Sequence, residues 1–102
     1  MEAVKTNNVP GRQSILATFI EILSEMTSDW DKDFSGEINA ETLLVAQLGF
    51  TSMDLVMLVV EIQQRYGRQD LPFENLFAPN GKYVSDLRVA DVVNFLYRHL
   101  NR

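Results

Sequence analysis

Three stretches of the chain carry apolar residues at spacings of three and four, which is typical of amphipathic helices. They cover approximately 13–30, 52–66 and 87–99. A polar stretch at 31–39, which contains Gly36, separates the first from the rest. No stretch alternates apolar and polar residues as a half-buried strand does. The pattern predicts an all-α fold, a small three- to four-helix bundle with a long first loop.

The second helix carries clear signals at both of its ends. Thr51, followed three residues later by Asp54, has the spacing of a capping box, in which each residue satisfies a backbone N–H of the other. Gly67 fits a left-handed cap after the last turn. Gly49 allows the backbone to bend before the helix begins. These signals predict a helix that starts at Ser52.

Shorter elements connect the main helices. The apolar segment 40–48 is consistent with a helical turn packed on the core, and 71–77 with a short turn of helix. Strong turn-forming residues follow at 78–82. Ser85 or Asp86 offers a cap for the last helix.

The rest of the chain divides into a polar start and one domain. The polar composition of residues 1–12 predicts a flexible leader, and residues 13–102 are predicted to form a single domain. Hydrophobic residues make up 46% of the 102 residues and charged residues 23%, as in ordinary globular proteins. No apolar run has the length of a membrane span. We expect no membrane insertion and a cytoplasmic location.

Charge and residue types exclude several kinds of function. Lys and Arg number 9 and Asp and Glu 14, a net charge of −5, which disfavours nucleic acid and suits partners with basic patches. The chain has no cysteine and therefore no disulfide, thiol nucleophile or cysteine metal ligand. Neither a glycine-rich phosphate loop nor a catalytic triad motif is present. We expect a protein that is not an enzyme.

Ser52 is the candidate for chemistry. It falls in the first turn of a helix, where backbone N–H groups lack intrahelical partners and the helix dipole favours negative charge. A phosphodiester on this serine would lie in an anion site. The simpler interpretation is a serine that only satisfies a free N–H at the helix start.

The segment 48–67 contains Leu48-Gly49-x-x-Ser52-Met53-Asp54, then Val56-x-Leu58-Val59 and Tyr66-Gly67. In these residues it resembles the acyl carrier protein family, in its freestanding single-domain form. The similarity covers about 14–100, but only 48–67 is specific. The family usually has an aspartate just before the serine, where this chain has Thr51.

The resemblance implies a carrier function. Ser52 would receive 4′-phosphopantetheine from coenzyme A through a phosphopantetheinyl transferase, and the thiol of that arm would hold acyl groups as thioesters. The carrier would present them to acyl-transferring, condensing or modifying enzymes of fatty acid, lipid or polyketide-type synthesis. We expect a monomer. A carrier of an amino acid or a polyketide intermediate remains an alternative within the same class.

The second helix carries more apolar residues than one buried face requires. Such a helix is either deeply buried or offers one side to a partner. If Met57 and Val60 are exposed, the second helix can dock a partner. If both are buried against the loop 31–48, the docking hypothesis loses its basis. The predicted docking residues are Thr51, Met53, Asp54, Val56, Met57, Val60 and Glu61.

A longer acyl chain could fold back between the second and last helices, since loosely packed helix pairs admit apolar ligands. The candidates for lining such a pocket are Leu58, Ile62, Val92 and Leu96.

The loop 31–42 provides the alternative function, a calcium-responsive helical interaction module. It follows the EF-hand pattern at several positions, but its twelfth position is Thr42 and the acid falls one residue early. Because the bidentate ligand is missing, we expect no specific metal site. The weak candidates for ligands are Asp31, Asp33, Ser35, Glu37 and Glu41.

Overall fold

The computed structural model describes residues 11–28 and 37–101, and the regular secondary structure there is all helical. A 3₁₀ turn, Pro79–Gly81, lies between the last two α-helices. The described residues form a small helical bundle, which confirms the predicted fold class. The helices are α1 (Arg12–Thr27), α2 (Ser52–Tyr66), α3 (Glu74–Phe77) and α4 (Val89–Leu100).

Helix α2 has the bounds that the sequence predicts, and the other two long helices differ slightly. Helix α1 ends at Thr27, whereas the apolar pattern extended to 30. Residues 29–36 lie outside the described part, and so do 1–10, most of the predicted leader. Helix α4 begins at Val89 rather than at 87.

One continuous core joins the three long helices. Helix α1 packs against both α4 and α2, and it contributes Phe19, whose side chain is buried. Phe73 and Phe95 bring their rings to a centroid distance of 5.2 Å beside α4. The other core residues that are at most 2% exposed are Ile15, Ile22, Leu23, Leu44, Leu48, Leu58, Ile62, Val89, Val92 and Leu96.

The cap of α4 is Arg88 and not Ser85 or Asp86. The backbone N–H of Arg88 donates to Asp91 Oδ2 at 2.9 Å, and its guanidinium donates to Asp91 Oδ1 at 3.4 Å and to Glu41 at 3.2 Å. The prediction was wrong because the carboxylate of Asp86 is engaged by other backbone N–H groups.

The segment 40–50 is anchored along the start of α4 by backbone hydrogen bonds. The N–H of Leu44 donates to Leu87 O at 2.9 Å, and the N–H of Val89 donates to Thr42 O at 2.9 Å. Leu44 and Leu48 are buried, as expected for a segment packed on the core. This segment therefore delivers the chain to the beginning of α2 in a fixed position.

No helix in 11–28 or 37–101 combines the length and the apolar character that crossing a bilayer requires.

Candidate functional site

Ser52 is the first residue of α2 and is exposed to solvent. Gly49 precedes it with φ of 75°, a left-handed conformation that residues with a Cβ rarely adopt. Phe50 is buried and its N–H donates to Leu44 O at 3.0 Å, so the chain is held on both sides of the bend. The local sequence thus presents a serine hydroxyl on a rigid helix end.

The predicted capping box is present. The backbone N–H of Thr51 donates to Asp54 Oδ2 at 2.8 Å, and the N–H of Asp54 donates to Thr51 Oγ1 at 3.2 Å. At the other end, Gly67 has φ of 64° and donates its N–H to Gln63 O, as a left-handed cap does. Both ends of α2 are therefore fixed by short-range contacts.

Replacing Thr51 with alanine is expected to destabilise the protein by about 0.5–2 kcal/mol, because the N–H of Asp54 loses its acceptor. Urea unfolding followed by circular dichroism measures the change. Thr51→Ser, which keeps the hydroxyl, is the control and should lie close to the unmodified chain. A Thr51→Ala variant as stable as Thr51→Ser would contradict the structural role of the cap.

An apolar groove of about 470 Å³ opens beside Ser52. Its walls are α2, α3 with the chain just before it, the connection to α4 and the segment 40–50. The N–H of Val84 donates to Phe77 O at 2.9 Å and ties the connection to α3. The groove is lined by Leu44, Val45, Ser52, Leu55, Val56, Val59, Phe73, Glu74, Phe77, Ala78, Tyr83, Val84, Asp86 and Leu87.

Helix α2 presents apolar side chains in three directions. Leu58 and Ile62 point into the core, and neither is exposed. Leu55 and Val59, three and seven residues after Ser52, line the groove with it. The apolar surplus noted in the sequence is thus divided between the groove and the outer surface.

The outer surface of α2 carries the predicted docking residues. Met57 is 49% exposed and Val60 38%, so neither is buried against the preceding loop. Met53 and Val56 are more exposed still. The exposure expected of a docking surface is present, and docking itself stays a prediction.

The polar members of the predicted docking set are placed differently. Thr51 is exposed, and Asp54 is half-buried with its carboxylate engaged in the cap. Glu61 is half-buried on α2. An interaction of Asp54 with a basic partner therefore competes with its role in the capping box.

The sequence predicted an acyl pocket between α2 and α4, but the groove in the structure lies on another side of α2. The four residues chosen for an acyl pocket, Leu58, Ile62, Val92 and Leu96, are all at most 1% exposed. None of them lines the groove. They are buried in the core, and the groove lies instead between α2, α3, the connection to α4 and the segment 40–50.

The Asp86 carboxylate holds two walls of the groove together. Its Oδ1 accepts the N–H of Val45 at 2.8 Å and of Leu87 at 2.7 Å, and its Oδ2 accepts the N–H of Ala46 at 2.9 Å. Burial alone would raise the pKa of Asp86, but these three hydrogen bonds outweigh it and hold the pKa below its ordinary value.

This lowered pKa predicts a pH-dependent contribution to stability. A carboxyl group whose pKa is lower in the folded state stabilises the protein above its unfolded pKa, about 3.9 for Asp. The stabilisation is lost as the pH falls through the folded pKa. In Asp86→Asn the amide NH₂ faces a backbone N–H, so one hydrogen bond is lost.

We expect Asp86→Asn to lower the free energy of unfolding at pH 7, and the difference from the unmodified protein to shrink below about pH 4. Urea unfolding at pH 7 and pH 3 gives both values. A difference that stays constant between the two pH values would contradict the role of the ionised carboxylate.

The acidic loop falls mostly outside the described residues. This applies to Asp31, Asp33 and Ser35. Glu37 and Glu41 are exposed, and Glu41 accepts a hydrogen bond from Arg88 at 3.2 Å. Among the described residues, no group of three or more His, Cys, Asp or Glu side chains is arranged to hold a metal ion.

No family model, curated protein or solved structure matches the chain. The candidate site consequently rests on its own geometry: an exposed hydroxyl at a capped helix start, an apolar groove beside it, and an exposed apolar surface along the same helix.

Sequence reasoning missed the groove because its walls come from separate segments. Tyr83 and Val84 lie in a turn-rich stretch that the sequence left without a role. Tyr83 is 85% exposed, although it lines the groove. The available signal was a pair of large apolar residues inside an otherwise polar connection, close in sequence to Phe73 and Phe77.

Proposed function

We propose that this protein is an acyl carrier protein whose Ser52 bears 4′-phosphopantetheine. The observation that supports this most is the exposed Ser52 side chain at the start of α2, which also lines an apolar groove. In the attachment step, Ser52 Oγ forms a bond to the phosphorus that bears pantetheine, and the P–O bond to the bridging oxygen of the coenzyme A pyrophosphate breaks. Adenosine 3′,5′-bisphosphate leaves, the hydroxyl proton is released, and the new linkage is a phosphodiester. The arm supplies the thiol that this cysteine-free chain lacks.

The residues around Ser52 fit a phosphodiester. The first intrahelical hydrogen bond of α2 runs from the N–H of Leu55 to Thr51 O at 3.0 Å. The N–H groups of Ser52 and Met53 precede it and have no carbonyl of the helix to bind, so they can face an anion. The neighbouring Asp54 carboxylate is already held by the N–H and hydroxyl of Thr51.

Two further parts of the structure would serve a carrier: the groove would shelter the acyl chain, and the outer surface of α2 would bind partner enzymes. The groove can take up an apolar acyl chain from solvent, since it is open beside Ser52 and lined mainly by apolar side chains. The exposed Met53, Met57 and Val60 offer an adaptable apolar surface to the transferase and to acyl-transferring, condensing or modifying enzymes.

In this proposal the protein transports and presents its cargo, and partner enzymes make the bonds. Tethering gives the thioester a high effective concentration at each enzyme on which the carrier docks. We propose that it works as a monomer in the cytoplasm, in fatty acid, lipid or polyketide-type synthesis.

The test is incubation with coenzyme A and a broad-specificity phosphopantetheinyl transferase, followed by intact-mass analysis. The proposal predicts one adduct of the mass of a single arm, which does not form when the transferase is omitted. A protein that stays unmodified with every transferase tried would contradict the proposal.

A further inference from the structure

Two acidic residues line the groove, Glu74 and Asp86. Apart from these, Ser52 and Tyr83, the lining side chains are apolar. No Lys, Arg or His of the described residues lines the groove. The lining residues of the groove therefore include two carboxylates and no cationic side chain.

The two carboxylates differ in how far their charge is already compensated. Asp86 accepts three backbone N–H groups, from Val45, Ala46 and Leu87. The side chain of Glu74 has neither a hydrogen bond nor an ion pair within the described part of the chain, and the residue is exposed. Glu74 is thus the carboxylate that is free to act on a ligand at the groove.

We propose that the groove selects acyl groups whose far end is neutral or carries an amine, and that Glu74 disfavours acyl groups ending in a carboxylate. This inference rests on the proposed function, because it takes an acyl chain as the ligand. The physical basis is that a carboxylate entering the groove would lie near a like charge and would also lose its hydration among apolar side chains. An ammonium group would instead find a partner in Glu74.

The contribution of Glu74 is limited by its exposure. Interactions between exposed charges are weak, so its removal should change the discrimination by roughly two- to fivefold. Added salt should reduce the effect further, since the Debye length falls from about 10 Å at 0.1 M to about 3 Å at 1 M ionic strength.

The deciding experiment uses the unmodified protein and three free probes of equal chain length: octanol, octylamine and octanoate. Each is titrated at pH 7 and low salt, with NMR shifts of groove residues such as Val59 and Val84 as the readout. We expect octanoate to bind more weakly than the other two. In Glu74→Gln, octanoate should gain about two- to fivefold in affinity, and octylamine should lose affinity.

Glu25→Gln is the control for the loss of a carboxylate elsewhere, because Glu25 is exposed on α1, where it pairs with Arg65, and α1 contributes no residue to the groove. Its affinities should equal those of the unmodified protein. Equal affinities for all three probes, shifts outside the groove, or an identical response of Glu25→Gln and Glu74→Gln would overturn the inference.

The outcome is separable from that of the proposed function. Loading of Ser52 without any preference among the probes would leave the carrier function in place and refute the selection by Glu74. Preference among the probes on a protein that no transferase loads would support the groove as a selective apolar site and count against the carrier function.

Discussion

Replacing Ser52 with alanine is expected to abolish attachment of the phosphopantetheine arm and to leave the fold almost unchanged. The variant removes the one oxygen atom that the proposed phosphodiester needs. The side chain is exposed and does not take part in the capping box, so the free energy of unfolding should change by no more than about 0.5 kcal/mol. Intact-mass analysis after transferase treatment and urea unfolding measure the two effects.

Ser85→Ala is the control for this experiment. Ser85 is also an exposed serine, but it lies in the connection before α4 and does not line the groove. This variant should be loaded as fully as the unmodified protein. An adduct on Ser52→Ala would show that another residue accepts the arm.

Truncation of Leu58 to alanine is expected to have the largest effect on stability, about 2–5 kcal/mol. Leu58 is 0% exposed in the core, so the substitution removes buried apolar surface and leaves a cavity. The preceding residue, Met57, is 49% exposed, and Met57→Ala should change the free energy of unfolding by about 0.5 kcal/mol or less. Urea unfolding of the two variants makes the comparison.

This pair of neighbours tests the division of α2 into a core side and an outer side. Similar losses for Leu58→Ala and Met57→Ala would contradict it. With the expected result, any loss of acyl transfer in Met57→Ala can be attributed to weaker docking, since the fold is intact.

The sequence was most informative where the signals were local. Helix α2 was predicted with correct bounds because the Thr51–Asp54 capping box and Gly67 define its ends through contacts within a few residues. The start of α4 was missed because Asp86, an apparent cap, binds Val45 and Ala46, which lie about forty residues earlier. Such a contact depends on the tertiary fold and has no local pattern.

The same distinction applies to the candidate site. The place of Ser52 at the helix start was predicted from local signals, and the residue is exposed in the structure. Periodicity left Met57 and Val60 undecided between docking and packing against the loop 31–48, and both are exposed. The groove could not be predicted in this way, since it forms where α2, α3 and the connection to α4 meet. Leu58 and Ile62 were assigned to a pocket because periodicity does not distinguish a filled core from a cavity.

The most direct measurement is fragmentation mass spectrometry of the protein after incubation with coenzyme A and a transferase. We expect the phosphopantetheine adduct on the peptide containing residues 48–57, with fragments that assign it to Ser52. An adduct on any other residue, or a Ser52 that stays unmodified after treatment with every transferase tried, would contradict the proposed carrier function.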